Sequence, residues 1–184
     1  AYGPLAEPIL QAIALDIPQA HHLAIVGPSG IGKSTLAGLI AGLLRPLAGE
    51  VRLGGVSLTE IPATDLPRYR VLIPQQAYVF AGTLGQNLSY LAPDAPLAAL
   101  DASVDAVGLR DLVTRLGGYH ADLSPATLSA GERQLIALAR AYLSPARLAI
   151  LDEATCHLDP IAAARAEGAF AARPGALIVI AHRM

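Results

Sequence analysis

Lysine is almost absent from this chain of 184 residues, because only Lys33 among its 13 basic side chains is a lysine. The remaining basic residues are arginines, so the chain uses a planar guanidinium wherever it needs a surface cation. The exception at Lys33 indicates a site that needs a compact ammonium group instead.

Three other scarcities exclude classes of protein. The single cysteine, Cys156, excludes an internal disulfide and is typical of a reducing compartment. A formal net charge of -2 leaves no basic patch for nucleic acid or anionic lipid. The longest apolar stretches, such as residues 36–44, fall short of the ~20 residues that a membrane-spanning helix requires. We therefore expect no membrane span within the chain and no nucleic-acid partner.

Length and composition fit one well-packed domain, since 53% of the residues are hydrophobic. The chain starts at Ala1 rather than at a methionine and stops at Met184, directly after a strand-like run. We expect residues 1–184 to be one domain, truncated at both ends, of a longer polypeptide.

The apolar runs predict an α/β fold. Helix-like segments separate four runs that we interpret as strands buried on both faces of a mainly parallel sheet flanked by helices. These runs are residues 23–26, 70–74, 148–152 and 176–181. Residues 5–17 and 50–55 resemble an antiparallel β subdomain laid over one side. Helical periodicity over 93–118 predicts an inserted α-helical subdomain, which we place at residues 93–144.

A phosphate-binding loop is predicted by VGPSGIGKSTL, residues 26–36, which carries G-x-x-x-x-G-K-[ST] after a strand and before a helix. Glycines let the backbone N–H groups fold around phosphate oxygens, and the helix starting near Lys33 adds its positive N-terminus. We predict that Lys33 contacts the β- and γ-phosphates of a nucleotide and that Ser34 holds Mg2+. The alternative is a turn without a ligand, against which the isolated lysine argues. The predicted nucleotide contacts of the loop are Gly27, Ser29, Gly30, Gly32, Lys33, Ser34 and Thr35.

A second potential anion site lies far along the chain. Ser129 and Glu132 in TLSAGERQLIALARAYL, residues 127–143, form a capping-box pattern that predicts a helix starting at Ser129. The N-terminus of that helix, with Gly131 exposed, attracts anions. In the alternative interpretation these residues merely begin a helix.

Two acidic residues, Asp152 and Glu153, end the strand predicted in LAILDEAT, residues 148–155. Ligands of parallel sheets bind at the carboxyl ends of the strands. Asp152 is therefore predicted to hold Mg2+ and Glu153 to accept a proton from an attacking water. A solvated strand end is the alternative, and the phosphate loop predicted in the same sheet favours the catalytic interpretation.

Six segments resemble the nucleotide-binding domains of ATP-binding cassette transporters in order and spacing. They are GPSGIGKST, PQQAYVFAGT, LSAGERQ, LAILDEAT, CHLD and VIAHR. LSAGERQ after a phosphate loop is highly specific for that family, whereas the phosphate loop alone is not. VFAGTLGQNL, residues 79–88, is similar to exporter-type domains.

The resemblance implies an ATP site with named roles. Tyr2 is similar to the aromatic residue that stacks on adenine. Gln75 is similar to the glutamine that contacts Mg2+ and the attacking water, with Gln76 as the neighbouring alternative. Glu153 corresponds to the general base, and His182 to the histidine that holds the γ-phosphate and orients the water.

The resemblance also implies a dimer that sandwiches ATP between two domains, which are either two copies of this chain (a homodimer) or this chain and a related one (a heterodimer). Ser129 and Gly131 would contact the γ-phosphate of ATP held by a second copy, and Asp159 is similar to the aspartate that crosses the dimer interface. The chain departs from the common signature at two positions, with Ala130 where many members have glycine and Glu132 where many have glutamine.

The implied function is ATP hydrolysis that powers transmembrane transport. We favour export of a small amphiphile, drug, lipid or peptide, by a protein whose transmembrane domain precedes Ala1 and which lies at the cytoplasmic face of the cell membrane. A soluble ATPase subunit of an importer and a cassette ATPase that transports nothing are the alternatives. The chain lacks the heptads and basic arms of the latter, and Glu153 with His182 argues against a purely regulatory nucleotide binder.

Overall fold

The computed structural model describes residues 8–181. Tyr2 and His182, two of the predicted site residues, lie outside the described residues. Within this range the strands are β1 (His22–Val26), β2 (Arg52–Leu53), β3 (Val56–Ser57), β4 (Arg70–Ile73), β5 (Gly82–Thr83), β6 (Asp122–Leu123), β7 (Leu148–Asp152) and β8 (Ala176–Ala181). The α-helices are α1 (Lys33–Ile40), α2 (Leu66–Tyr69), α3 (Leu84–Ser89), α4 (Leu97–Val107), α5 (Arg110–Leu116), α6 (Ala130–Leu143) and α7 (Pro160–Ala172).

The central sheet has four parallel strands in the order β1-β8-β7-β4. These are the four strands that the apolar runs predict, so the predicted α/β fold with a parallel sheet is confirmed. Val26 pairs with Ala181 and Asp152 pairs with Ile180, while β4 ends at Ile73. All four carboxyl ends therefore lie at one edge of the sheet, where the predicted site residues follow.

Helices cover both faces of the sheet. On one face, Ala37 of α1 and the C-cap residue Ala41 pack against Ile150, Ile178 and Ile180 of the two central strands. On the other face, a larger cluster joins the sheet to α3, α4, α6 and α7. The alternation of side chains along β7 and β8 sends successive residues to opposite clusters, which is why these strands read as continuous apolar runs.

Strand β1 is an exception to the predicted burial on both faces. His22, Ala24 and Val26 are exposed, whereas Leu23 and Ile25 are half-buried on the face that α1 covers. The prediction of two-sided burial is wrong for β1. It lies at the edge of the four-stranded sheet, and within residues 8–181 no helix covers the face that its exposed side chains occupy.

The predicted antiparallel part is confirmed only in its second half. Strands β2 and β3 form an antiparallel hairpin around Gly54 and Gly55, which both have positive φ. Such a two-glycine turn is typical of tight hairpins. Residues 8–17 form no strand, so the strand prediction for residues 5–17 is wrong over the part that the structure describes. Ala12 has a φ of 52°, a left-handed conformation that interrupts an extended strand.

The region after Pro93 is helical, as its periodicity predicts. α4 and α5 lie within residues 93–118, and each ends at a left-handed glycine, Gly108 and Gly117. α6 contacts α3, α4 and β4, so it links these helices to the central sheet. Within the described part of the chain, no helix is both long enough and apolar enough to cross a membrane.

Candidate functional site

The predicted phosphate loop connects β1 to α1 at the carboxyl edge of the sheet. Gly30 and Gly32 have φ values of 81° and 104°, a region that favours glycine. A Cβ on Gly32 would lie 2.8 Å from Cγ2 of Ile9, so a larger residue there would also have to displace this side chain. α1 begins at Lys33 with Gly32 as its N-cap and no side-chain cap, which leaves the backbone N–H groups of its first turn directed at the loop.

Lys33 is buried, with only 7% of its surface exposed. Its Nζ donates hydrogen bonds to the backbone oxygens of Gly27 at 2.8 Å and Pro28 at 3.1 Å. The same ammonium lies 3.9 Å from Oε1 of Glu153. A buried charge requires such partners, and this arrangement holds the ammonium under the loop that is predicted to bind phosphates.

The other residues of the loop that are predicted to contact the nucleotide lie on either side of Lys33 in the sequence. Ser29 and Gly30 are exposed at the tip of the loop, and Thr35 is half-buried in the first turn of α1. Ser34 is exposed, and its Oγ donates a hydrogen bond to Oδ1 of Asp152 at 3.1 Å. The two residues that the sequence assigns to Mg2+ on different segments are therefore neighbours.

Asp152 is the last residue of β7, a strand buried along its whole length. Burial raises the pKa of its carboxyl group, while the Ser34 hydrogen bond and the charge of Lys33 act in the opposite direction. A carboxylate whose charge is incompletely compensated is suited to bind a cation. The hydroxyl of Ser34 and the carboxylate of Asp152 are both oxygen ligands of the type that Mg2+ prefers, so the residues present fit this metal.

Glu153 follows Asp152 in a strained conformation. Its φ is 51°, which non-glycine residues seldom adopt, and its N–H donates to the backbone oxygen of Ile180 at 3.0 Å. The backbone turns sharply after β7, which brings the Glu153 carboxylate next to Lys33. Strain of this kind is concentrated at functional sites, where surrounding contacts hold it in place.

Gln75 lies beyond the carboxyl end of β4, and its side chain is exposed. Desolvation raises the pKa of the Cys156 thiol, and the nearby Gln75 side chain acts in the opposite direction. Gln75 therefore lies near the segment that follows Glu153. Gln76, the neighbouring alternative, is exposed as well.

The helix start predicted at Ser129 is confirmed, but Gly131, which is predicted from the sequence to be exposed, is half-buried. Ser129 is the N-cap of α6, its Oγ accepts from the Glu132 N–H at 3.2 Å, and its own N–H donates to Oε2 of Glu132 at 2.7 Å. This is the predicted capping box. A Cβ on Gly131 would lie 3.0 Å from the backbone oxygen of His157, so the first turn of α6 packs closely against the segment after Glu153.

The two predicted anion sites are not joined within one chain. Across residues 8–181, no hydrogen bond or ion pair links Ser129 or Gly131 to the phosphate loop. Asp159, the third residue assigned to the dimer interface, is exposed and caps α7 by accepting from the N–H groups of Ile161 and Ala162. The structure thus gives Asp159 a local role in addition to the predicted one.

Three polar residues that sequence reasoning missed connect the site to the rest of the fold. Gln134 of α6 is fully buried, and its Nε2 donates to the backbone oxygen of Pro74, beside Gln75. Arg140 donates to both the backbone oxygen and the Oδ1 of Asn87. The signal was available for Gln134, a polar residue four positions before Leu138 on the apolar side of a helix, where polar residues need a specific partner.

Comparisons with known proteins agree with this arrangement. The model of the ABC transporter family matches residues 10–156. The ABC transporter ATP-binding protein RamB of Streptomyces coelicolor is 60% identical over 184 residues, which are 100% of this chain and 30% of RamB. The lactococcin transport/processing ATP-binding protein LcnC-like of Lactococcus lactis is 38% identical over 182 residues, covering 96% of this chain and 25% of that protein.

A solved structure gives the same result in three dimensions. The structure of a bacterial Atm1-family ABC exporter with ATP bound matches with a TM-score of 0.90 at 31% identity, over 100% of this chain and 33% of that one. The chain thus spans between 25% and 33% of the length of these three proteins.

Replacing the buried carboxylate by an amide should stabilise the fold. Because burial raises the pKa of Asp152, its ionised form costs folding free energy at every pH above that raised pKa. In Asp152→Asn the amide oxygen still accepts from Ser34, and we expect the melting temperature at pH 7, without nucleotide or metal, to rise by about 2–6 °C.

The increase in melting temperature caused by Asp152→Asn should become smaller as the pH falls. At low pH the wild-type Asp152 carboxyl group is protonated, so the wild type no longer carries the free-energy cost of a buried charge. Scanning calorimetry at pH 7 and at about pH 4.5 measures both effects, with the exposed Asp94→Asn as a matched control. Two results would contradict the assignment of Asp152 as an incompletely compensated charge. One is a melting temperature of Asp152→Asn below that of the wild type at pH 7, and the other is an equal increase in melting temperature at both pH values.

Proposed function

The chain belongs to the ABC transporter family, and on that premise we propose that it is the ATP-hydrolysing domain of a membrane exporter. The observation that carries the proposal is the convergence of Lys33, Ser34, Asp152 and Glu153 at the carboxyl edge of the sheet. A phosphate loop, a cation-binding carboxylate and a second carboxylate are the groups that hydrolysis of a nucleoside triphosphate needs.

Each of these groups has a part in the proposed reaction. The phosphate loop and the Lys33 ammonium bind the β- and γ-phosphates, with Gly27, Ser29, Gly30, Gly32 and Thr35 completing the loop. Glu153 accepts a proton from water as the water oxygen attacks the γ-phosphorus, and the bond to the β–γ bridging oxygen breaks to give ADP and phosphate. Ser34, Asp152 and Gln75 would hold Mg2+, which supplies positive charge to the phosphate oxygens.

Two further roles come from the family resemblance. We assign Tyr2 to stacking on adenine and His182 to holding the γ-phosphate and orienting the water. β8 ends at Ala181, the residue before His182, and Ala181 pairs with Val26 at the start of the phosphate loop. This sequence position supports the assignment of His182.

We further propose that the complete ATP site requires two domains. Ser129 and Gly131 lie at a helix N-terminus that is suited to a phosphate but is not connected to the phosphate loop of its own chain. In a two-fold dimer, each copy would offer this N-terminus to ATP on the other copy, with Asp159 at the interface. Residues 93–144 are proposed to form the helical subdomain that carries α6 toward the partner.

Two observations support a membrane exporter: the chain is similar to a known exporter, and it covers only part of that protein's length. The chain spans about a third of a structure described as an ABC exporter with ATP bound, so the remainder of a comparable protein has room for a transmembrane domain. We propose that this domain precedes Ala1, that the ATPase lies at the cytoplasmic face of the membrane, and that the cargo is a small amphiphile, drug, lipid or peptide. A soluble importer subunit and a non-transport ATPase are the alternatives.

Removing the proposed base should stop hydrolysis and spare binding. Glu153→Gln keeps the size of the side chain but cannot accept the proton, so we expect the rate of ATP hydrolysis to fall by about 100-fold or more. The affinity for ATP should stay the same or rise, because a negative charge near the phosphates is removed. Phosphate release and a binding titration measure the two effects.

The exposed Glu60→Gln is the matched control and should leave both quantities unchanged. If Glu153→Gln hydrolyses ATP at the wild-type rate, Glu153 is not the base. A parallel loss of ATP binding and of hydrolysis would assign Glu153 to holding Lys33 in place rather than to proton transfer.

The product of the complete reading frame should remain in the membrane after a carbonate wash. An integral protein resists alkaline extraction because its spanning segments are held by the hydrocarbon core, whereas a peripheral subunit is released. Immunoblots of pellet and supernatant, beside one integral and one peripheral marker, give the answer. Release with the peripheral marker contradicts a fused exporter and favours a soluble ATPase subunit.

A further inference from the structure

The first turn of α6 carries a negative charge, that of Glu132. Both oxygens of its carboxylate have partners. Oε2 accepts from the Ser129 N–H at 2.7 Å, and Oε1 forms an ion pair with Arg115. The Ser129 hydrogen bond is the main cause that lowers the pKa of Glu132, and Arg115 lowers it further, so the carboxylate is ionised at neutral pH.

That charge conflicts with the proposed role of the helix. If Ser129 and Gly131 receive the γ-phosphate of ATP on a second copy, the phosphate approaches a residue whose N–H is hydrogen-bonded to a carboxylate. Two anions then compete for one helix N-terminus, and their repulsion grows as the interface closes and water leaves. A glutamine makes the same capping hydrogen bonds without the charge.

Arg115 is placed to remove the conflict. It lies in the last turn of α5, directly before Leu116 and the left-handed Gly117, and reaches across to α6. Among the described residues, Glu132 is its one ionic partner. The Glu132 side chain is 27% exposed and that of Arg115 is 57% exposed, so both groups are accessible at the surface beside the N-terminus of α6.

We propose that Arg115 is a positioning residue that neutralises Glu132 and so allows the N-terminus of α6 to accept the γ-phosphate of the opposite ATP. The inference rests on the proposed two-domain site. Arg115 acts through Glu132 and does not touch the nucleotide, so it is dispensable whenever position 132 is neutral. In the Glu132–Arg115 pair, the positive charge of Arg115 offsets the negative charge beside this helix N-terminus.

The test measures ATP retained by the closed sandwich, in the protein made from the complete reading frame. In the Glu153→Gln background hydrolysis is blocked, and ATP held between two domains survives rapid desalting. Arg115→Gln added to this background should raise the ATP concentration for half-maximal retention by roughly tenfold, the scale of one unscreened like charge at a partly exposed site.

The rescue identifies the mechanism. Glu132→Gln added to Arg115→Gln should restore retention to within about twofold of the Glu153→Gln background, and Glu132→Gln without Arg115→Gln completes the cycle. Arg52→Gln breaks an exposed pair with Glu50 on the β2–β3 hairpin and serves as the matched control. Melting temperatures of all variants separate loss of fold from loss of retention.

Each outcome decides between explanations. If Glu153→Gln itself retains no ATP, the two-domain site fails, and this inference fails with it. If it retains ATP and Arg115→Gln changes nothing, the pair is an ordinary surface ion pair and the inference is wrong while the proposed function stands. If Arg115→Gln impairs ATP retention and adding Glu132→Gln does not restore it, Arg115 contacts the phosphate directly. That result also contradicts the inference that Arg115 acts by neutralising Glu132.

Discussion

A buried ammonium group that must find acceptors organises this structure. Lys33 satisfies its charge with two backbone oxygens of its own loop and with Glu153 from the segment that follows β7. These contacts require a loop that turns back over α1, hence the left-handed Gly30 and Gly32, and a β7 that ends in a sharp turn, hence the strained Glu153. The need for a compact ammonium group at this position accounts both for the single lysine in the chain and for the geometry of the site around it.

The parallel sheet converts distant sequence positions into one site. The chain returns to the same edge after each of β1, β4, β7 and β8, so the segments that follow them become neighbours although long stretches separate them in sequence. Parallel strands also need buried faces on both sides, and α1 on one side with α6 and α7 on the other supply them. The helix whose N-cap is Ser129 is therefore a core element whose N-terminus reaches the surface.

The features of the fold that could be predicted from the sequence are those that depend on residues close together in the chain. The apolar runs, the phosphate loop and the capping box at Ser129 were predicted because each depends on residues within a few positions. The partners of Arg115, Gln134 and Arg140 depend on packing between distant segments and carry no local pattern. Residues 5–17 were predicted as strand from apolar content, which does not report the left-handed Ala12. The exposure of β1 depends on which helices cover it, information that a four-residue run lacks.

The central claim is that one ATP site needs residues from two copies of the domain, and subunit mixing tests it most directly. Lys33→Ala removes the phosphate-loop cation, and Ser129→Asp keeps the helix cap but places a charge where the phosphate is to bind. Each variant should be inactive alone. Co-expressed, mixed pairs contain one intact site, so hydrolysis should recover to roughly a quarter of the wild-type rate with random pairing. The wild type, prepared in the same way, must be active. If the co-expressed variants then hydrolyse ATP no faster than each variant alone, the claim of a two-copy ATP site is contradicted.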